Sequence, residues 1–250
     1  MSIFIPSYSL ILAFTTFRSE VNIHKHSACQ LVISLDESFV CDCDQVHYPE
    51  VYGFVIQPQV AHACYNVKGK VLILNIEPYS HYGKSIFEKL KNNKAMVFTK
   101  REELFLFFGF KNAVLDLNTV LLALSAPVNT PAMDQRVSQI CAYINSHFAN
   151  SAITSQVLAD QVFLSPSRMS ALFKQQTGSS ISKYLLWTRL KNAVHQLLLQ
   201  PSTTMTDIAH QNGFYDSAQF TKYMHQLFGL SPTKLRQKSE LIQVLDLAKG

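Results

Sequence analysis

The sequence predicts an α+β protein in two parts. An N-terminal β-barrel or sandwich with trailing helices is followed by an all-α domain, in which two helix-turn-helix units are joined by a long helix. Three observations carry this prediction. Short β-rich runs separated by polar turns fill the first third of the chain, as in Gln30–Ser34, Tyr52–Ile56 and Val71–Ile76. Every strong segment after residue 132 reads as helix. Within that second part, two stretches about fifty residues apart match each other.

Composition bounds the reading. At 250 residues, with 48% hydrophobic and 16% charged residues, the chain can bury real cores and does not read as disordered. The formal net charge is +5. Residues 1–132 carry eleven Lys and Arg against eleven Asp and Glu. Residues 133–250 carry eleven against six, so the whole excess sits in the second part, as expected where a polyanion is met. A solvated basic face is the bland alternative. The five cysteines, Cys29, Cys41, Cys43, Cys64 and Cys141, are odd in number and irregular in spacing. They read as reduced thiols of a cytoplasmic protein rather than a disulfide framework. Residues 1–17 are apolar but lack a leading basic residue and contain Pro6, so a buried first strand is expected rather than a signal peptide. No run reaches the ~20 apolar residues that span a bilayer, and no membrane association is expected.

The elements divide the chain as follows. Residues 1–126 form a β-rich domain whose last stretch, from His81 to Leu124, turns helical through Ile86, Leu90, Leu104, Phe105, Phe107 and Phe108. Residues 127–132, within the proline-containing segment Ser125–Pro131, form the linker. Residues 133–240 form the helical domain. The apolar set Leu104, Phe107, Phe108, Phe110 and Val114 has two open readings: packing on the β-domain, or the seam of a homodimer.

The repeat pairs Val157–Gly178 with Asp207–Gly229. Leu158-Ala159 matches Ile208-Ala209 at a shift of 50, whereas Met169, Phe173 and Gly178 match Phe220, Met224 and Gly229 at a shift of 51. The second unit therefore has one extra residue near its turn. Ala159 and Ala209 leave room for one helix to cross the other. Gly213 supplies the positive φ that a sharp turn often needs. Ser165 is a good N-cap, and Pro166 suits the first helical position. Asp216 opens the second helix of the second unit. Met169, Leu172 and Phe173, and then Phe220 and Met224, form the inward faces.

The outward residues are candidates for DNA contact: Ser165, Ser167, Arg168, Ser170, Ala171 and Lys174 in the first unit, and Ser217, Ala218, Gln219 and Lys222 in the second. A recognition helix offers such side chains to the major groove, Arg suiting guanine, Gln adenine and Ala a thymine methyl. For any one of them alone, an ordinary solvated position is the competing reading. Between the units, Ile181–Leu199 lacks Gly and Pro and predicts one helix of roughly 28 Å. That length is comparable with the ~34 Å between successive major-groove openings. Lys183, Arg189 and Lys191 on it read as phosphate or structural contacts.

The run SPSRMSALFKQQTG…YLLWTRLKNAVHQLL…DIAHQNGFYDSAQFTKYMHQLFGLSPTKLR resembles the AraC/XylS family of bacterial transcription regulators over about Val137–Arg236. Gly213-Phe214, Phe220, Phe228-Gly229, Ser231-Pro232 and Arg236 stand at its signature positions. The resemblance implies seven helices, binding to promoter DNA and contact with RNA polymerase. Phe163 stands where the first turn usually carries Gly, and a bulky residue at positive φ costs about 1–2 kcal/mol.

In the N-terminal domain, His24, His26 and Gln30, with His62 followed by Asn66, resemble the two cupin motifs, Gln30 replacing the usual Glu. A cupin-like barrel, the small-molecule effector arm of such regulators, is implied. His24 and His26 share a strand face and can meet His62. Three readings stay open for these residues: a metal ion site, a metal-free effector pocket, or structure alone. Tyr52, Phe54 and Tyr65 line such a pocket or belong to the core. The rival function is a metal-dependent cupin enzyme with an accessory helical domain. Against it, the sequence offers no Ser/His/Asp, Cys/His or paired-carboxylate constellation and no phosphate-binding glycine loop.

Overall fold

A computed structural model describes residues 11–17, 20–110, 114–127, 133–150, 152–237 and 243–244. The expected linker lies outside these residues except for residue 127. So do the first ten residues of the expected first strand. The chain divides into two compact units, Met1–Asn129 with His225–Leu230 and Gln237–Gly250, and Thr130–Met224 with Ser231–Arg236.

The first unit holds strands β1 (Ile11–Phe17), β2 (Val21–His24), β3 (Cys29–Ser34), β4 (Phe39–Cys43), β5 (Val46–Val51), β6 (Gly53–Ile56), β7 (His62–Tyr65) and β8 (Lys70–Ile76). Helix α1 (His81–Leu90), strand β9 (Ala95–Phe98) and helices α2 (Arg101–Phe108) and α3 (Leu117–Leu124) follow, and β10 (Gln243–Val244) is contributed from near the C-terminus. The strands form two antiparallel sheets, ordered β10-β1-β8-β3-β6-β9 and β2-β7-β4-β5. The expected barrel is therefore not closed. The helical reading of His81–Leu124 also needs correction, because β9 interrupts it and pairs with β6 from Gly53↔Phe98 to Ile56↔Ala95. Four residues between two helices are too short a run for their period to be told from a helix end.

The central strands of the larger sheet are covered on both faces, which explains why β3, β6 and β8 read as near-continuous apolar runs. Leu31, Ile33, Val55, Leu72, Leu74 and Ile76 pack with Ile86 and Leu90 of α1, Leu104 and Phe108 of α2, and Val120 and Leu124 of α3. Their alternates Val32, Phe54, Ile56, Val71 and Ile73 pack with Phe39, Cys41, Cys43, Val51 and Cys64 of the smaller sheet. The apolar set read from the sequence thus splits. Leu104 and Phe108 are core, Phe107 and Phe110 are partly buried against it, and Val114 is 78% exposed. All five cysteines are buried, and none of them is in a disulfide.

The second unit is built from α4 (Gln135–His147), α5 (Ser155–Gln161), α6 (Pro166–Thr177), α7 (Ile181–Leu199) and α8 (Met205–Gln211), with α9 (Ser217–Phe228) and α10 (Pro232–Gln237) following. Within the described residues, the segment expected to be helical holds these seven helices. Helix α7 is its axis, burying Ile181, Tyr184, Trp187, Leu190, Ala193, Val194 and Leu197. It packs against α4, α6 and α8. No helix among the described residues is long and apolar enough to cross a membrane.

Leu190 is fully buried on α7. Its replacement by Ala should destabilise the helical unit by about 2–5 kcal/mol through lost burial and the cavity left behind. A lowered urea midpoint, followed by the fluorescence of Trp187, the sole tryptophan, would register it.

Candidate nucleic-acid interface and the histidine cluster

Both halves of the repeat fold as helix, short turn, helix. Each helix start is held by a side chain. Thr154 accepts from the Val157 N–H and Thr204 from the Asp207 N–H. Ser165 accepts from the Arg168 N–H, with Pro166 at the first position. Asp216 accepts from the Gln219 N–H at 2.7 Å. The inward residues correspond: Leu158, Ala159, Met169 and Phe173 are buried in the first, as are Ile208, Ala209, Phe220 and Met224 in the second. The extra residue lies in the turn, which runs 162–165 in the first and 212–216 in the second.

The candidate DNA-contact residues fall differently in the two units. On α6 and its cap, Ser165, Ser167, Arg168, Ser170, Ala171 and Lys174 are all exposed. On α9, Ala218 and Lys222 are exposed, whereas Ser217 and Gln219 are half-buried. The Gln219 side-chain oxygen accepts from the Tyr215 N–H at 2.9 Å while its own N–H binds Asp216. This reciprocal arrangement closes the start of α9 much as a capping box does. It leaves only the amide NH2 of Gln219 for a ligand. Tyr215, 83% exposed beside that helix start, is the residue sequence reasoning missed. Its only trace in the sequence is the one-residue lengthening of the turn.

Among the basic residues of the connector, Arg189 is structural. Its Nε donates to the Phe148 carbonyl at 2.7 Å and its guanidinium to that of Asn150 at 3.1 Å, which satisfies carbonyls left over at the end of α4. Burial lowers its pKa. Lys191 is buried, its ammonium 5.9 Å from the Trp187 ring centroid. Lys183 is exposed. Arg236 donates to the Thr203 carbonyl at 2.7 Å.

In the first unit, the N-terminal histidines come together. His24 on β2 is paired across the sheet with His62 on β7. His26 follows in the next loop, where its carbonyl accepts from the Gln59 N–H at 2.8 Å. Ring centroids are 4.1 Å apart for His24 and His62, 5.0 Å for His26 and His62, and 5.7 Å for His24 and His26. All three are buried. One ring nitrogen from each lies within 4.8 Å of the others. Each Nδ1 faces a backbone carbonyl: His24 that of Asn22 at 2.8 Å, His26 that of Ala28 at 3.1 Å and His62 that of Val60 at 2.9 Å. Desolvation lowers the pKa of His24 to about 4 and of His26 to about 3, and holds that of His62 well below the ordinary value. The rings are therefore neutral near pH 7. Gln30 donates to Asn75 at 2.9 Å and also hydrogen bonds His26. Phe54 is core, its ring 5.8 Å from that of His62.

The two turns differ at equivalent positions. Phe163 holds φ +53° and is 95% exposed. Gly213 holds φ +78°, and a Cβ there would come within 2.8 Å of the Arg189 side chain and 3.0 Å of the Phe148 carbonyl. Phe163→Gly should therefore stabilise the helical unit by about 1 kcal/mol through strain relief. Gly213→Ala should destabilise it, because strain is joined by displacement of Arg189 from its carbonyls. Opposite shifts in urea midpoint would bear this out.

A helix-turn-helix domain family matches residues 158–238. The arabinose operon regulatory protein of Salmonella typhimurium is 38% identical over 130 residues, covering 50% of this chain and 45% of that protein. The HTH-type transcriptional activator RhaS of Shigella boydii is 37% identical over 102 residues, covering 41% and 36%. The matches thus span less than half the length of these relatives. ToxT from Vibrio cholerae, as the apo form of a variant, superposes with a TM-score of 0.58 over 92% of this chain and 97% of that one, at 8% identity. ToxT with an unsaturated fatty acid bound gives 0.54 over 92% and 95%, at 9% identity. At such identity the likeness is one of fold alone. Residues 158–238 thus form a helix-turn-helix domain similar to those of the arabinose operon regulatory protein and RhaS, both of the AraC/XylS type.

Proposed function

We propose that this chain is a sequence-specific DNA-binding regulator of transcription whose N-terminal unit responds to a small-molecule effector. The observation that carries the reading is the pair of matched helix–turn–helix stretches in the matched family domain, the first of which leaves Ser165, Ser167, Arg168, Ser170, Ala171 and Lys174 open to solvent. The basic excess of the second part fits a phosphate backbone as partner. Promoter DNA is the ligand, and α6 and α9 are the elements that enter adjacent major grooves. Arg168 is the leading base reader of the first unit, with Lys174 on phosphate. Ala218 and Lys222, with the amide NH2 of Gln219, serve the second. Contact with RNA polymerase, homodimer formation and a cytoplasmic place of action belong to the same reading.

An effector for the N-terminal unit is supported by ToxT, a fold neighbour solved both in an apo form and with a fatty acid bound. The cluster of His24, His26 and His62 with Gln30 is the candidate responsive site. The enzyme alternative has only this cluster behind it, and both relatives described above are named as regulators.

Selection of binding sites from a random DNA pool by the full-length protein tests the proposal. One enriched sequence is expected, bound more tightly than a scrambled control, with affinity falling steeply as salt rises. Arg168→Ala should cost about 1–3 kcal/mol and relax preference at one base pair, whereas Lys174→Ala should weaken all sequences alike. Equal, weak retardation of every DNA would overturn it.

A further inference from the structure

We propose that His24, His26 and His62 form a binding site for a divalent transition-metal ion of borderline softness, such as zinc, cobalt or nickel. The argument starts from which ring nitrogen carries the proton. A carbonyl oxygen can only accept, so the Nδ1 atoms facing the Asn22, Ala28 and Val60 carbonyls must be donors. At His62, whose ring has no second hydrogen-bond partner, Nε2 is the nitrogen left over; His24 also meets the backbone of His62, and His26 the side chain of Gln30. The cluster brings one nitrogen of each ring within 4.8 Å of the other two. Among the described residues, Nε2 of His62 is buried and has no hydrogen-bond partner.

Three imidazoles gathered in a buried space, with ring nitrogens converging, suit a cation. The outer shell needed to hold such ligands is already present, since metal-binding histidines generally donate their second ring nitrogen to a carbonyl or carboxylate. The scale also fits. Metal–nitrogen bonds of about 2.0–2.1 Å imply nitrogens roughly 3.4 Å apart in a tetrahedral shell. The nitrogens already stand within 4.8 Å of one another, so small ring movements close the difference. An all-imidazole donor set selects zinc, cobalt, nickel or copper over magnesium and calcium, which take oxygen. The assignment deepens the reading of the N-terminal unit as the responsive part, and it fails independently. A protein that selects one DNA sequence yet takes up no metal overturns this inference alone.

The test is titration of chelator-treated, untagged, full-length protein with cobalt(II), followed by its visible absorption. One equivalent per chain is expected, displaced by zinc and unaffected by excess magnesium. His24→Gln and His62→Gln should weaken uptake by at least about 10-fold. His47→Gln, an exposed histidine paired with Asp42, should leave it unchanged. Because substitution in a buried cluster can unfold the unit, X-ray absorption on the zinc-loaded natural protein is the second reading. It should show three imidazole nitrogens at about 2.0–2.1 Å. No stoichiometric uptake, uptake unchanged in both folded cluster variants, or a shell of oxygen or sulfur alone would overturn the proposal.

Discussion

Backbone groups left over where helices, strands and turns end must find partners, and in this chain that need assigns many polar side chains their work. The carbonyls past the end of α4 take Arg189, and that of Thr203 takes Arg236. The Tyr215 N–H takes the side-chain oxygen of Gln219. The carbonyls of Asn22, Ala28 and Val60 take the three imidazoles. What is left for ligands is what the backbone does not use. Arg189 is thereby withdrawn from the DNA-facing set, and Gln219 keeps only half of its amide. At the histidines the same demand works the other way, because filling Nδ1 of His62 leaves its buried Nε2 without a partner.

The parts legible in the sequence are those whose signal is local. The capped start at Ser165-Pro166, the breaker-free run of α7 and the spacing that relates the two halves of the repeat all depend on residues a few positions apart. The inward faces of α6 and α9 are therefore found where periodicity places them. Strand β9 is different. Ala95–Phe98 is a strand because β6 offers it an edge, and nothing within four residues reports that edge. The failure of the barrel to close is likewise a matter of which strands pair across the unit. The contact of His24 with His62 was approachable from residue type and spacing. The hydrogen bonding of the rings was not, since it depends on three carbonyls whose direction only the folded loops define.

The two halves of the repeat use one plan under different local constraints. At Gly213 the backbone has a positive φ and a neighbour in the way, so a side chain is excluded twice. At Phe163 φ is also positive, but the ring projects into solvent and only the conformational strain remains. A strain of about 1 kcal/mol is small beside the burial of Met169 and Phe173 on the following helix, each worth roughly 2–3 kcal/mol. The turn therefore tolerates a residue its counterpart cannot.

The same comparison bears on how base recognition is divided. A helix start consumes side-chain capacity in proportion to what its turn leaves unpaired. In the first half, a four-residue turn is closed by Ser165 with a proline at the next position, and proline has no N–H to satisfy. Arg168 contributes only its backbone to that closure, and its guanidinium is exposed. In the second half the turn is one residue longer and adds an N–H, that of Tyr215, which Gln219 answers. The longer turn thus takes the one amide of α9 best suited to adenine and sets an exposed tyrosine beside the helix start. On the DNA-binding reading proposed above, base recognition by side-chain ends falls more heavily on α6, and α9 is left with its alanine, its lysine and the aromatic ring at its entrance.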